Sequence, residues 1–145
     1  MSIELSDIYK AVCKAISKST GIVILDSDIN EPVIRPSFKI FMNTINSSHF
    51  SAALRELKVY FEIYFYAKDK GHSKSSIMDI EDKLAFLFLN PLKINENSST
   101  YVNDLEFERV EDGILNCNFN LELATEYIDE SEIEMMEVLK IEMED

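Results

Sequence analysis

The stretch from Leu57 to Tyr66 limits what this chain can fold into more than any other. Leu57, Val59, Phe61, Ile63 and Phe65 alternate with Lys58, Tyr60, Glu62, Tyr64 and Tyr66. A period of two places the first set on one face of a β-strand and the second set on the other. A strand with one wholly apolar face needs neighbours for its main chain and a second layer over that face. A second alternation supplies a neighbour: Leu115, Cys117, Phe119, Leu121 and Leu123 against Asn116, Asn118, Asn120 and Glu122. It reads as the second arm of a hairpin, with arms at 101–111 and 114–127. Asp112-Gly113 between them suits a type I′ turn, which needs positive φ at both central residues. Cys117 falls on the apolar face of its arm, as a small buried side chain.

Two helical stripes can form the covering layer. Residues 3–18 place Leu5, Ile8, Val12 and Ile16 at three-to-four spacing with Ala15 beside them, Ser2 or Ser6 as cap and Gly21 just past the end. Ile77, Ile80, Leu84, Leu87 and Phe88 repeat the pattern. There Ser76 and Asp79 are the capping pair, Asp79, Glu81 and Asp82 favour the positive end of the helix, and Asn90-Pro91 stops it.

The remaining segments give weaker signals. Ile22–Leu25 is a short β-branched run bounded by Gly21 and Asp26-Ser27-Asp28, and residues 29–36, with Pro32 and Pro36, read as an extended connection. Ser37–Met42 alternates as a strand with Phe38, Ile40 and Met42 on one face, Pro36 lying where a missing N–H is tolerated. Residues 43–53 carry no firm pattern, 67–75 form a polar, mobile loop, and 95–100 form another loop. After Tyr127, Asp129 or Ser131 caps a short helix with Ile133, Met136 and Leu139 or Lys140 inward, and 141–145 are frayed. The expected fold is α+β: a mostly antiparallel β-sheet with two main helices packed on one face and a short C-terminal helix, in one domain over residues 1–145.

Charge is distributed unevenly. The net charge is −13, yet residues 1–100 hold 12 acidic and 12 basic side chains, and residues 101–145 hold 15 acidic side chains against Arg109 and Lys140. Adhesion to nucleic acid through a basic surface is disfavoured, because it depends on Lys and Arg displacing counterions from phosphates. The acidic third either keeps the protein soluble or docks on a basic partner. No run approaches the roughly 20 apolar residues of a membrane helix. No secretory leader is evident, and two unpaired-looking cysteines point to an intracellular home.

Catalytic constellations are missing from the sequence. Three glycines cannot build a phosphate loop or a dinucleotide fingerprint, and neither a Gly-x-Ser-x-Gly elbow nor a His-Glu-x-x-His helix occurs. His49 and His72 lie in polar stretches, and Cys13 and Cys117 lie on apolar faces. Asp26-Ser27-Asp28 starts like a calcium loop but lacks its central Gly and distal Glu. No enzyme activity, metal or cofactor is expected.

The run Glu31-Pro32-Val33-Ile34-Arg35-Pro36-Ser37-Phe38-Lys39-Ile40, the aromatic strand Tyr60–Tyr66, the turn Asp112-Gly113-Ile114-Leu115 and the Glu- and Met-rich stretch around 130–139 occur in this order along the chain. Together they resemble the small tail terminator proteins of phages and of phage-derived contractile particles from Gram-positive bacteria. The resemblance implies a structural protein that assembles in the cytoplasm of the producing bacterium and remains in the released particle. It implies a homo-oligomeric ring, usually a hexamer, on the head-proximal end of the tail tube. Such a ring stops tube polymerisation and meets a neck or sheath protein, with no membrane partner and no specific nucleic-acid binding. Two other readings stand beside it: an acidic protein-binding module, such as an inhibitor or nucleic-acid mimic, and another head–tail connector ring.

The candidate interface residues follow from these patterns. Tyr60, Tyr64 and Tyr66 share a strand face that is either covered within the fold or used for contact, since Tyr is enriched at interfaces. Arg35 is either a turn or surface ion-pair residue or an inter-subunit contact. Glu130, Glu132, Glu134 and Glu137 either line a lumen through which DNA passes without sticking, or dock on a basic partner ring.

Overall fold

A computed structural model describes residues 3–26, 34–51 and 54–126. In chain order it runs α1 (Leu5–Thr20), β1 (Ile24–Leu25), β2 (Ser37–Ser51), β3 (Leu54–Tyr66), α2 (Lys74–Leu87), β4 (Leu92–Asn95), β5 (Ser98–Thr100), β6 (Val102–Val110) and β7 (Ile114–Glu126). The main sheet has the order β1-β2-β3-β7-β6, and β4 with β5 forms a small separate hairpin. All its pairings are antiparallel except β1 with β2, where Ile24 lies opposite Phe38. The architecture is the expected α+β class. The short helix expected after Tyr127, and the connection through Pro32, lie outside the described residues.

The alternation at β3 works as the sequence implies. Val59, Phe61 and Ile63 are fully buried, and β7 places Phe119 opposite Phe61 and Cys117 opposite Ile63. Ile8, Val12 and Ile16 of α1 and Leu84 of α2 have no exposed surface and close over this face. Phe119 stacks on Phe61 at 5.3 Å between ring centroids and meets Phe88, just past α2, at 4.8 Å. Each such side chain contributes roughly 1.5–3 kcal/mol through burial, so the one-sided core carries most of the stability. Cys117 lies inside it, 1% exposed, and burial pushes its thiol up to about 12.

Several local details differ from the sequence reading. Glu4, not Ser2 or Ser6, is the N-cap of α1, and its N–H donates to the Asp7 carboxylate at 2.9 Å. Gly21 ends that helix in the left-handed region at φ 69, as its position predicts, and its N–H donates to the Ser17 carbonyl. α2 starts earlier than expected, with Ser73 as N-cap, so no acid lies in its first turn. The cause is the preceding loop, where the Asp69 carboxylate accepts the N–H groups of Gly71 and His72 at 2.9 and 3.2 Å. These bonds turn the chain directly into the helix and lower the Asp69 carboxyl below its ordinary value.

β2 continues to Ser51, nine residues beyond the expected Met42. Its polar second half has no alternation because both of its faces are exposed from Asn43 to Ser48. Pairing with β3, not burial, keeps it extended, and a register shift between Thr44 and Asn46 marks where it leaves the core. The 95–100 segment is also more regular than a loop: β4 and β5 pair Leu92 with Thr100. The Asp112-Gly113 turn forms as expected, with φ 63 and 70.

Candidate assembly surface

Both described helices pack on the same side of the sheet, which leaves the other side without a helical layer among the described residues. Three neighbouring strands furnish that open side. β3 presents Tyr60, Glu62, Tyr64 and Tyr66, and β7 presents Asn120, Asn118 and Asn116 directly opposite the first three. On the far flank β6 sets Glu106 opposite Asn118 and Glu108 opposite Asn116, and on the near flank β2 sets Phe41 opposite Glu62.

Glu62 is the hub. Its Oε1 accepts the Tyr64 hydroxyl at 3.0 Å and Asn116 Nδ2 at 3.2 Å, and Asn116 Oδ1 in turn accepts Asn118 Nδ2 at 3.0 Å. Tyr64 also meets the Phe41 ring edge-on at 5.8 Å. Lys58 and Glu122 form an exposed ion pair at 3.5 Å. Partial burial, followed by the carboxylates, raises the hydroxyls: Glu62 acts on Tyr64, and Glu62 with Glu106 act on Tyr60. Burial also raises Tyr66, while the Arg35 charge pulls it back. The three phenols therefore stay neutral donors at physiological pH. The face is amphipathic: half-buried aromatic rings whose polar ends are held in a hydrogen-bonded row. Asn120 Oδ1 is buried without a partner, an acceptor still unused on this face.

Arg35 sits at the rim and acts within the chain. Its guanidinium donates to the carbonyls of Ala67 and Asp112, each at 3.0 Å, and lies 5.7 Å from the Tyr66 ring centre. It ties the start of β2 to the end of β3 and to the β6–β7 turn. Its hydrogen-bond partners are main-chain carbonyls, not the carboxylate of a surface ion pair. Thus the structure sets Tyr60, Tyr64 and Tyr66 along one strand face with Arg35 beside Tyr66 at its end, and the acids Glu130, Glu132, Glu134 and Glu137 lie outside the described residues. Sequence reasoning missed Glu62, Phe41 and the asparagine row as parts of one surface. The period-two run Asn116, Asn118, Asn120 was the available signal, but only strand register shows that it faces the tyrosines.

Exposed apolar side chains occur at both sheet flanks and on the helical layer, including Ile45 at 53% and Phe86 at 70%. Among the described residues no helix is long and apolar enough to cross a membrane. Nor does any group of three His, Cys, Asp or Glu side chains among them come together as a metal site.

The described residues thus form an α+β sheet with helices on one side and a polar-aromatic row on the other. The family model described as phage tail terminator protein matches residues 7–134. The chain belongs to the phage tail terminator family and has a structural role in a phage tail. A comparison with curated proteins gives no match.

Proposed function

We propose that this protein closes the head-proximal end of a phage or phage-like contractile tail tube as a ring of identical subunits, stopping tube growth and joining the tube to a neck or sheath protein. Family membership supports the tail role, and the open sheet face carries the ring reading. A hexamer is the ring size that the sequence resemblance favours. A cap must be self-limiting, which requires heterologous contacts whose rotation closes the ring. The two flanks of the open face differ as such a contact requires. One flank bears the carboxylates of β6, Glu106 and Glu108, and the other bears the aromatic side chain of β2, Phe41. Tyr60, Tyr64 and Tyr66 lie between them as rigid, amphipathic contact groups.

The test is sedimentation across a concentration series, with electron micrographs of the same samples. Closed rings are expected with the native chain, and a Tyr60→Ser, Tyr64→Ser double variant is expected to shift the assembly midpoint upward at least about tenfold, equivalent to ~1.4 kcal/mol. A native chain that stays monomeric even when purified tail tubes are added would sink the proposal. Rings unaffected by the double variant would move the contact to another surface.

A further inference from the structure

Two rows of like charge lie on opposite sides of the main sheet, and neither is neutralised among the described residues. α1 carries Lys10, Lys14 and Lys18 at a spacing of four, which stacks them on one exposed stripe of the helix. With Lys93 of β4 they line a groove of about 770 Å³ between α1 and the segment from Leu87 to Glu96. Asp7 and Glu96 line it too, but the Asp7 carboxylate already accepts the Glu4 N–H, so the groove stays basic. None of these lysines has an ion-pair partner among the described residues. The opposing row lies on the open side, along the edge strand β6. Glu106 and Glu108 stand exposed opposite Asn118 and Asn116, and the Asp104 carboxylate joins the same side by accepting Asn120 Nδ2 at 3.5 Å. Among the described residues no lysine or arginine pairs with these acids: Lys58 is held by Glu122 and Arg109 by Glu81.

We infer that the two rows meet between copies, the groove of one subunit receiving the β6 flank of the next, a contact that rests on the ring reading and gives it two surfaces. Three observations carry this. The first is charge: a concentrated lysine row in a chain of net charge −13 and an unpaired acid row attract within the ~8–10 Å screening length. The second is spacing. Every fourth residue of a helix recurs about every 6 Å, at ~1.5 Å per residue. Every second residue of a strand recurs about every 6.7 Å, at ~3.3–3.4 Å per residue. Glu106 and Glu108 therefore match two successive lysines of α1. The third is place. The lysines lie on the helical side and the acids on the open side, so the sheet separates the rows within one chain and they meet only between molecules. A contact between two different patches is heterologous, the kind that rotation closes into a ring. The contact runs through side chains, because the charges on β6 and its register shift between Asn103 and Glu106 keep that edge from pairing with another sheet. Tyr60, opposite Asn120 on the same face, borders the contact.

Charge exchange between the rows tests this, read by sedimentation of the full-length chain with and without purified tail tubes. Lys10→Glu, Lys14→Glu, Lys18→Glu in one chain, and Glu106→Lys, Glu108→Lys in another, place like charges on both sides of the contact. Each variant alone is expected to raise the assembly midpoint at least about tenfold. An equal mixture of the two is expected to assemble near the native midpoint, because each groove then faces the opposite charge on β6 of the other variant. All the substitutions joined in one chain should restore assembly as well, which separates lost contact from lost folding. Variants that assemble at the native midpoint would overturn the inference and leave the ring reading standing. Losses that neither the mixture nor the joined chain restores would do the same. Normal rings of the lysine variant that no longer cap added tubes would overturn it in favour of a tube protein in the groove. A native chain that stays monomeric even with tubes would overturn the inference and the ring reading together.

Discussion

The two faces of the main sheet come from the same strands yet obey different rules. On the helix side, odd-numbered β3 residues meet odd-numbered β7 residues and both helices, and Val59, Phe61, Ile63, Phe119 and Leu121 have no exposed surface. On the open side, the even-numbered residues make a hydrogen-bonded row around Glu62 and keep part of their surface in contact with solvent. Packing dominates the first face and polar pairing dominates the second. A truncation on the first leaves a cavity, whereas on the second it leaves space that water fills. The comparison shows how one sheet can hold a fold together on one side and keep a polar, partly solvent-facing row on the other.

The largest expected effect separates the faces directly. Phe119→Ala removes a ring packed between Phe61 and Phe88 and should lower unfolding free energy by about 3–5 kcal/mol in urea titrations. Tyr64→Ala, three residues from Phe119 in the β7 register but on the other face, should lower it by only about 1 kcal/mol. Equal losses would mean that the open side is a second core.

Gly113→Ala comes next. Gly113 has φ 70, and an added Cβ would lie 3.1 Å from the Asp69 carbonyl oxygen and 3.2 Å from Lys70 Cα and Ser73 Oγ. Strain in the left-handed region costs ~1–3 kcal/mol, and the Asp69 and Lys70 atoms, being backbone, have little room to yield. The thermal midpoint should fall, and a change too small to detect would show that the turn and the Asp69 loop are not tightly joined. Arg35→Ala should cost about 1–3 kcal/mol through two lost charge-assisted bonds to carbonyls. Arg35→Lys should recover only part of it, because one ammonium cannot keep the planar fork.

The pH response is smaller and tests the buried side. Burial raises the Cys117 thiol from 9.0 to about 12. The folded state therefore binds a proton that the unfolded state releases, and its stability is full below pH ~9 and declines between ~9 and ~12. Tyr60, Tyr64 and Tyr66 are also raised, so they act in the same direction from pH ~10 upward. Urea midpoints measured at pH 8, 9.5 and 11 should fall less steeply in Cys117→Ala than in the native chain. Parallel curves would place that thiol in contact with water.

Elements whose residues pattern themselves were legible in the sequence. The alternations of β3 and β7, the stripes of α1 and α2, the Asp112-Gly113 turn and the Gly21 stop each state their geometry locally, because burial on one face selects apolar residues at a fixed period. Elements that exist through pairing were not. The second half of β2 is exposed on both faces from Asn43 to Ser48 and stays extended because β3 satisfies its main chain. β4 and β5 are too short to show a period, and the start of α2 is set by a side chain in the preceding loop. The same division holds at the assembly surface. The tyrosines were visible as a row in the sequence, whereas Glu62, Phe41 and the asparagines became part of it only when register placed them side by side.

Arg35 shows the limit most clearly. The sequence placed it at a strand start beside a proline, but its two carbonyl partners lie 32 and 77 residues away along the chain. The sequence by itself determined that there is a sheet with one apolar face, helices to cover it, a row of tyrosines opposite, and an acidic final third. Only the tertiary structure decided which strands are neighbours, which side stays open, and where the lysines of α1 gather with Lys93. Period and composition act over a few residues, whereas contacts between distant residues arise from the way the whole chain packs.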